Sequence, residues 1–369
     1  MAGGNMDRAP FRPSFGNRPD RLVGRDSEAA GSLKGLDGPV GHPGRATICL
    51  GRRGMGKTAL LLEFAELARR RGFVAAKASA SPALLAELLE GLARDGARWL
   101  PKGRKLTGGS AGALGFSVGL EFDAQEAGPA TFRGRLTDIS QALDKAGQGL
   151  VLLVDEVTAN SPQVAELGAA YQELVGEGRN VAIAMAGLPG AVSAVLNDKV
   201  LTFLNRAAKF QLSEVPVADV MVHYSQTLKS LGKTIAEADL ARAAEATRGY
   251  PYLLQLVGYY LLEYVGEDPA VGGAAVDLAI ATARKALGDS VFKPALHPLS
   301  ALDRRFLEAM ACDQGPSRMA VLAGRLGVSA ASAQQTRARL IAAGVIAAAG
   351  RGQVAPALPY LAERLRGEL

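Results

Sequence analysis

Cysteine and histidine are scarce in this 369-residue chain, with two of the first and three of the second. Cys49 and Cys312 show neither a metal-ligand spacing nor a disulfide context, and both read as small buried residues. His42, His223 and His297 are scattered, so no histidine metal centre or triad can be assembled from them and any chemistry rests on carboxylates and cations. No run approaches the roughly eighteen apolar residues of a membrane span. Residues 1–20 also lack the apolar core of a secretion signal, so a cytoplasmic protein with no membrane partner is expected. An Asn-Lys-x-Asp guanine-reading box is missing as well.

What is present describes a globular chain, 48% hydrophobic and 21% charged, long enough for two domains after a leader. The leader, residues 1–20, is rich in Gly, Pro, Arg and Asn, buries too little apolar area to order itself and is expected to be disordered.

The most informative segment is Gly51-Arg52-Arg53-Gly54-Met55-Gly56-Lys57-Thr58, followed by Ala59. It fits the phosphate-binding loop pattern in full, and the apolar run at 46–50 reads as the strand that feeds it. Glycines let the backbone curl so that its N–H groups face phosphates. Gly51, Gly54, Met55, Gly56, Lys57, Thr58 and Ala59 are the expected nucleotide contacts, with Lys57 on the β/γ oxygens and the Thr58 hydroxyl on Mg²⁺.

A second segment, residues 149–156, is an apolar strand that ends in Asp155 and Glu156. Such a strand suits the centre of a parallel sheet, at whose carboxyl edge ligands bind. There Asp155 would hold Mg²⁺ and Glu156 would orient and deprotonate water, which is hydrolysis chemistry. With no guanine box in the chain, ATP is favoured over GTP.

Along the chain, helical spacing is expected to about residue 36, over 57–71, from a Ser81-Pro82 start, and over 132–145 and 161–177. Strands are expected at 73–80 and 180–186, and this alternation argues for a doubly wound parallel sheet with helices on both faces. Residues 101–131 break the rhythm. They are Gly-rich, and Leu114, Phe116, Val118, Leu120 and Phe122 alternate with period two, as in an inserted strand or hairpin. The core is thus expected over 21–213. From 214 to 295 strand signals vanish and four helices, at 217–231, 237–247, 252–265 and 274–287, form an expected lid.

Residues 296–369 have their own pattern, with helices at 301–311, 317–326 and 330–343 and a Gly327-Val328-Ser329 turn before the third. Two strands, at 345–349 and 353–358, flank a Gly350-Arg351-Gly352 tip. This reads as a winged helix. Ser332, Gln335 and Arg339 fall on one face of its third helix, and together with Arg351 they are the candidate contacts to double-stranded DNA. A protein contact through the same domain is the alternative.

The order of parts resembles the winged-helix-bearing AAA+ ATPases of the origin-recognition and archaeal-ATPase type and their signalling relatives, the STAND ATPases. That resemblance implies a P-loop NTPase core, a helical lid, and ATP with Mg²⁺ as ligands. It places the box at 22–28, with Arg25, near the adenine, and makes Gly249-Tyr250-Pro251 similar to the glycine-x-proline turn, with Pro251 a nucleotide contact. Arg206 stands where AAA+ proteins present an arginine to a neighbour's γ-phosphate. Tyr252 occupies a position where origin-type members often have an arginine, and the strand ending at Ala186 lacks a polar sensor, so slow, regulated turnover is expected. Two outputs follow. One is a nucleotide switch that controls DNA binding, and the other is a signalling or scaffold ATPase that assembles with ATP as a homo-oligomer or on a separate protein partner.

Overall fold

A computed structural model describes residues 10–14, 19–101, 131–158, 160–197 and 201–368. The period-two segment at 114–122 and most of the leader lie outside the described residues. The chain divides into two compact units, one of Arg25–Leu50 and Lys57–Gln211, the other of Met1–Gly24, Gly51–Gly56 and Leu212–Leu369.

The first unit is built on a five-stranded parallel sheet of order β2-β3-β4-β1-β5. Its strands are β1 Ala46–Leu50, β2 Phe73–Ser79, β3 Gly149–Val157, β4 Val181–Gly187 and β5 Ala208–Gln211. Flanking helices are α1 Asp26–Asp37, α2 Lys57–Arg69, α3 Leu84–Asp95, α4 Phe132–Lys145, α5 Pro162–Gly176 and α6 Pro189–Leu196. The unbroken apolar runs of β3 and β4 are what a central parallel strand requires, and their side chains are buried with Leu88 and Leu92 of α3, Leu136 and Ile139 of α4 and Leu167 of α5. Helix α5 starts as its sequence dictates, with the Ser161 hydroxyl accepting from the Val164 N–H and Pro162 in the first turn.

The parallel sheet is thus as its sequence pattern foretold, with three differences. Strand β5 was not legible because it is a four-residue edge strand, Ala-Lys-Phe-Gln, with no side chain fully buried. Helix α6 occupies a segment read only as a turn. Helix α3 begins after the Ser81-Pro82 pair, whose serine hydroxyl accepts from the Ala83 N–H in a turn instead of capping the helix.

The second unit contains α7 Val217–Ser230, α8 Glu237–Glu245, α9 Pro251–Val265 and α10 Gly273–Leu287 at the expected lid positions, with β6 Thr234–Ile235 pairing with β7 Ala270–Val271. A short α11, Lys293–Leu296, leads to α12 Ala301–Ala311, β8 Ser317–Arg318, α13 Met319–Leu326, α14 Ala330–Ala342, β9 Ile346–Ala348, β10 Gln353–Pro356 and α15 Leu361–Leu365. Strands β8, β10 and β9 form an antiparallel sheet in that order. Ser317 and Arg318 were expected to open a helix. They pair with β10 instead, and the Ser317 side chain is buried with its hydroxyl donating to the Met310 carbonyl. A Ser300–Asp303 capping box opens α12, and Gly327, at φ 65°, closes α13.

The leader departs from its expectation where it is described. Phe11 is buried, edge-on to Tyr224 and His223, and its ring lies so close to Gly258 of α9 that a Cβ there would be 2.5 Å from it. The composition argument for residues 1–20 averaged over one aromatic anchor that a glycine on α9 makes room for.

Candidate nucleotide site

The chain leaves β1, runs through Gly51–Gly56 and enters α2 at Lys57, so the loop opens a helix whose first residues are Lys57 and Thr58. Gly54 and Gly56 have φ values of 74° and 81°, a left-handed backbone open to glycine at little cost. Met55 is buried, as is Ala59, whereas Thr58 is half-buried. Left-handed positions of this kind just before a helix start are the backbone that a phosphate loop requires.

Asp155 and Glu156 lie near the carboxyl end of β3, where the register with β4 shifts between Val154 and Val157. The Asp155 side chain is buried and Glu156 is exposed. Glu156 has φ 53°, and Asp155 Oδ1 accepts its N–H at 3.0 Å, which holds this strained backbone in place. Asp155 Oδ2 is 3.1 Å from Lys77 Nζ on β2. Both Asp155 and Lys57 act on the Cys49 thiol of β1, which burial first and then the field of Glu28 and Asp155 push up to about 12, with Lys57 opposing.

Arg25 is buried and 3.7 Å from Glu28, and burial draws its pKa below the ordinary value. Arg206 is exposed at the end of the 3₁₀ turn Thr202–Arg206. Pro251 is the first residue of α9. Ahead of it, Gly249 at φ 65° packs its backbone on Val215, whose carbonyl oxygen would be 2.2 Å from an added Cβ. The hydroxyl of Tyr250 donates to the Arg53 carbonyl at 2.7 Å, and a Cβ on Gly54 would be 2.0 Å from that hydroxyl. Burial pushes the Tyr250 hydroxyl pKa well up. Tyr252 donates to the Ser290 hydroxyl at 3.0 Å.

On α14, Ser332 is half-buried and Gln335 exposed. Arg351 is exposed between Gly350 and Gly352 at the β9–β10 turn. Arg339 is half exposed on the same helix face and also has partners within the domain. Its guanidinium donates to the buried Asp303 carboxylate at 2.7 Å and to the Thr336 hydroxyl at 3.1 Å. Burial pushes the Asp303 carboxyl up, but the hydrogen bonds from Arg339 and Ser300 outweigh it and leave the group below the usual carboxylate range.

Lys77 was not singled out by any motif. Its signal was a lone lysine inside the buried strand Phe-Val-Ala-Ala-Lys-Ala-Ser, where a charge requires a partner. The contacts of Arg52 and Tyr250 had no signal, because they join residues distant in sequence.

Residues 21–185 match the AAA ATPase domain family. Residues 289–365 match a domain family of unknown function, DUF8462. A comparison with curated proteins gave no match. Among solved structures, the Walker-type ATPase PABY2304 of Pyrococcus abyssi is 16% identical with a TM-score of 0.68, over 95% of this chain and 97% of that one. The ORC2 protein of Aeropyrum pernix, solved in ADPNP–ADP complexes, is 17% identical with a TM-score of 0.62, over 96% of this chain and 94% of that one. Cdc6p of Pyrobaculum aerophilum is 13% identical with a TM-score of 0.52, over 96% and 97%. At these identities the likeness is one of fold. No helix among the described residues is long and apolar enough to cross a membrane.

Proposed function

We propose that the protein binds ATP with Mg²⁺, hydrolyses it slowly, and uses the nucleotide state to control DNA binding through residues 296–369 acting as a winged helix. The observation that carries the ATPase part is the pairing of a complete phosphate loop, Gly51–Thr58, with the Asp155-Glu156 strand end inside the segment that matches the AAA ATPase domain family. ADPNP–ADP complexes of the Aeropyrum pernix ORC2 protein support the choice of ligand.

The residues fit these ligands. Gly54 and Gly56 supply the left-handed backbone of a phosphate cradle, and Lys57 supplies a compact cation for the phosphate oxygens. The Thr58 hydroxyl and the Asp155 carboxylate are hard oxygen donors. No group of three or more His, Cys, Asp or Glu that could hold a metal gathers among the described residues, so Mg²⁺ would be shared between these two side chains, phosphate oxygens and water. When bound, Mg²⁺ neutralises charge on the phosphate oxygens. The exposed Glu156 carboxylate would orient the attacking water and accept its proton. Lys57 would stabilise the phosphoryl oxygens as the bond to the leaving group breaks. Arg206, exposed, would serve a neighbouring copy's γ-phosphate, Arg25 would lie near the adenine, and Pro251 would be a nucleotide contact.

The first helix of the C-terminal segment, the α13–α14 pair and the β9–β10 turn support the winged-helix reading, with Ser332, Gln335 and Arg351 as its DNA contacts. One observation favours a second reading, a signalling or scaffold ATPase whose winged helix meets protein. Arg339, on the supposed DNA face, pairs with the buried Asp303 carboxylate of its own domain while half of its side chain stays exposed.

ATP hydrolysis measured over a range of protein concentrations, with and without duplex DNA and with Lys57→Ala as the blank, separates the two. Stimulation by DNA supports the switch. Turnover that rises with protein concentration and ignores DNA supports assembly, with Arg206 acting in trans. Activity equal to the Lys57→Ala blank under all conditions would remove the hydrolysis claim.

A further inference from the structure

Arg52 is one of the loop residues between the glycines, and its side chain is three-quarters buried, at 26% exposure. Its Nη1 donates to the Ala357 carbonyl at 2.5 Å, while Nη2 pairs with the Glu214 carboxylate. One planar fork thus joins the phosphate loop, the segment before α7 and the residue that follows β10. Ala357 is itself fixed, being buried with its N–H donating to the Val345 carbonyl at 2.9 Å. Next along the loop, the Arg53 carbonyl is held by Tyr250 and Gly54 lies against the same ring. The fork borders a cavity of about 460 Å³ lined also by Arg248, Tyr360 and Glu363.

We propose that Arg52 is a positioning residue of the phosphate loop, acting through Glu214 and the Ala357 carbonyl, and that it makes nucleotide affinity depend on the C-terminal segment. The proposal rests on the ATP reading above. Phosphate binding needs the N–H groups of 54–58 to stay aimed, and a loop already tied at Arg52 and Arg53 loses less freedom when a ligand arrives. Arginine suits the task because its rigid fork serves two acceptors at once, which a lysine's point charge does not. Coupling of this kind is reciprocal, so a nucleotide that favours the tied loop must also favour the docked position of Ala357.

The test uses the full chain and ADP with Mg²⁺ as the probe, titrated calorimetrically. Arg52→Ala and Glu214→Ala are each expected to weaken ADP binding by about five- to tenfold. The double variant should be no weaker than Arg52→Ala alone, because both changes cut one connection. Hydrogen exchange at residues 353–358 should slow on ADP binding in the unaltered chain and not in Arg52→Ala. Affinities within twofold of the unaltered chain, multiplicative losses in the double variant, or slowed exchange that persists in Arg52→Ala would each overturn the proposal. Should Arg52→Ala fail to fold, Arg52→Lys with Glu214→Gln gives the same cycle with smaller losses. If the unaltered chain does not bind ADP, the ATP reading itself fails, which is a different result from ADP binding that ignores Arg52.

Discussion

Lys77 Nζ lies 3.1 Å from Asp155 Oδ2, so the carboxylate that we propose as an Mg²⁺ ligand already has a cation on one oxygen. The pair joins neighbouring strands, since β2 runs parallel to β3 with Ser79 opposite Asp155. The Asp155 side chain is only 5% exposed, and a lone carboxylate there would be uncompensated. Lys77→Met is expected to lower folding stability by about 2 kcal/mol, below the roughly 3–5 kcal/mol of a fully buried broken pair because Lys77 is partly solvated. Added Mg²⁺ with ADP should recover more stability in Lys77→Met than in the unaltered chain, since the metal then meets no competing ammonium. Urea unfolding with and without the ligand checks this, and equal recovery in both chains would show that Lys77 and the metal do not share Asp155.

Lys57 and Glu156 are expected to fail in different ways. Lys57→Ala should lose ATP binding, because it removes the cation that faces the phosphates. Glu156→Gln should keep ATP affinity within a few-fold and lose about 10²-fold in turnover, since the amide cannot accept a proton. Equilibrium binding and single-turnover hydrolysis distinguish the two. Unchanged turnover in Glu156→Gln would assign the base elsewhere.

The C-terminal arginines should separate stability from DNA contact. Arg339→Ala leaves the buried Asp303 carboxylate short of its partner and is expected to cost about 2 kcal/mol of stability while leaving duplex affinity unaltered. Arg351→Ala, at an exposed turn, should leave stability alone, weaken duplex binding and reduce its salt dependence by about one phosphate contact. Denaturant unfolding and salt-dependent duplex titration read both. Should Arg339→Ala weaken duplex binding and leave stability unaltered, the assignment of its guanidinium to Asp303 would be wrong.

His223 provides an acid-sensitive element. Burial, with help from Arg21, draws its pKa from 6.5 to about 4, so the folded chain holds it neutral while the unfolded chain protonates it first. Between these values the unfolded state binds more protons, so the stability due to this group is complete above pH 6.5 and is lost as pH falls toward about 4. The loss at pH 5 relative to pH 7 should be about 2 kcal/mol, and His223→Leu should lose less over the same interval. Unfolding curves at the two pH values decide it, with equal slopes for both chains counting against the assignment.

The loop and the strand carboxylates were legible because their chemistry is local. A phosphate cradle needs particular φ angles at Gly54 and Gly56 and a helix starting at Lys57, and all of this is encoded within eight consecutive residues. Strands β1 to β4 were legible for a similar reason, since a buried parallel strand must be apolar throughout. Strand β5 carried no such signature, because its four residues, Ala208–Gln211, are none of them fully buried, whereas β2, also at an edge, buries most of its side chains. Helix α13 was read two residues too long because Ser317 and Arg318 suit a helix start as well as a strand, and only the partner β10 decides between them.

The sequence by itself determined the loop and strand motifs from which the proposed site is read, since motif spacing and hydrophobic period act through neighbours along the chain. Tertiary structure alone decided what each side chain in that site meets. Lys77 reaches Asp155 because two strands lie in register, Tyr250 covers Gly54, Arg339 turns to Asp303, and Phe11 settles on Gly258. Each of these contacts joins positions far apart in the chain, and which charges are paired or buried is fixed only when the fold brings them together.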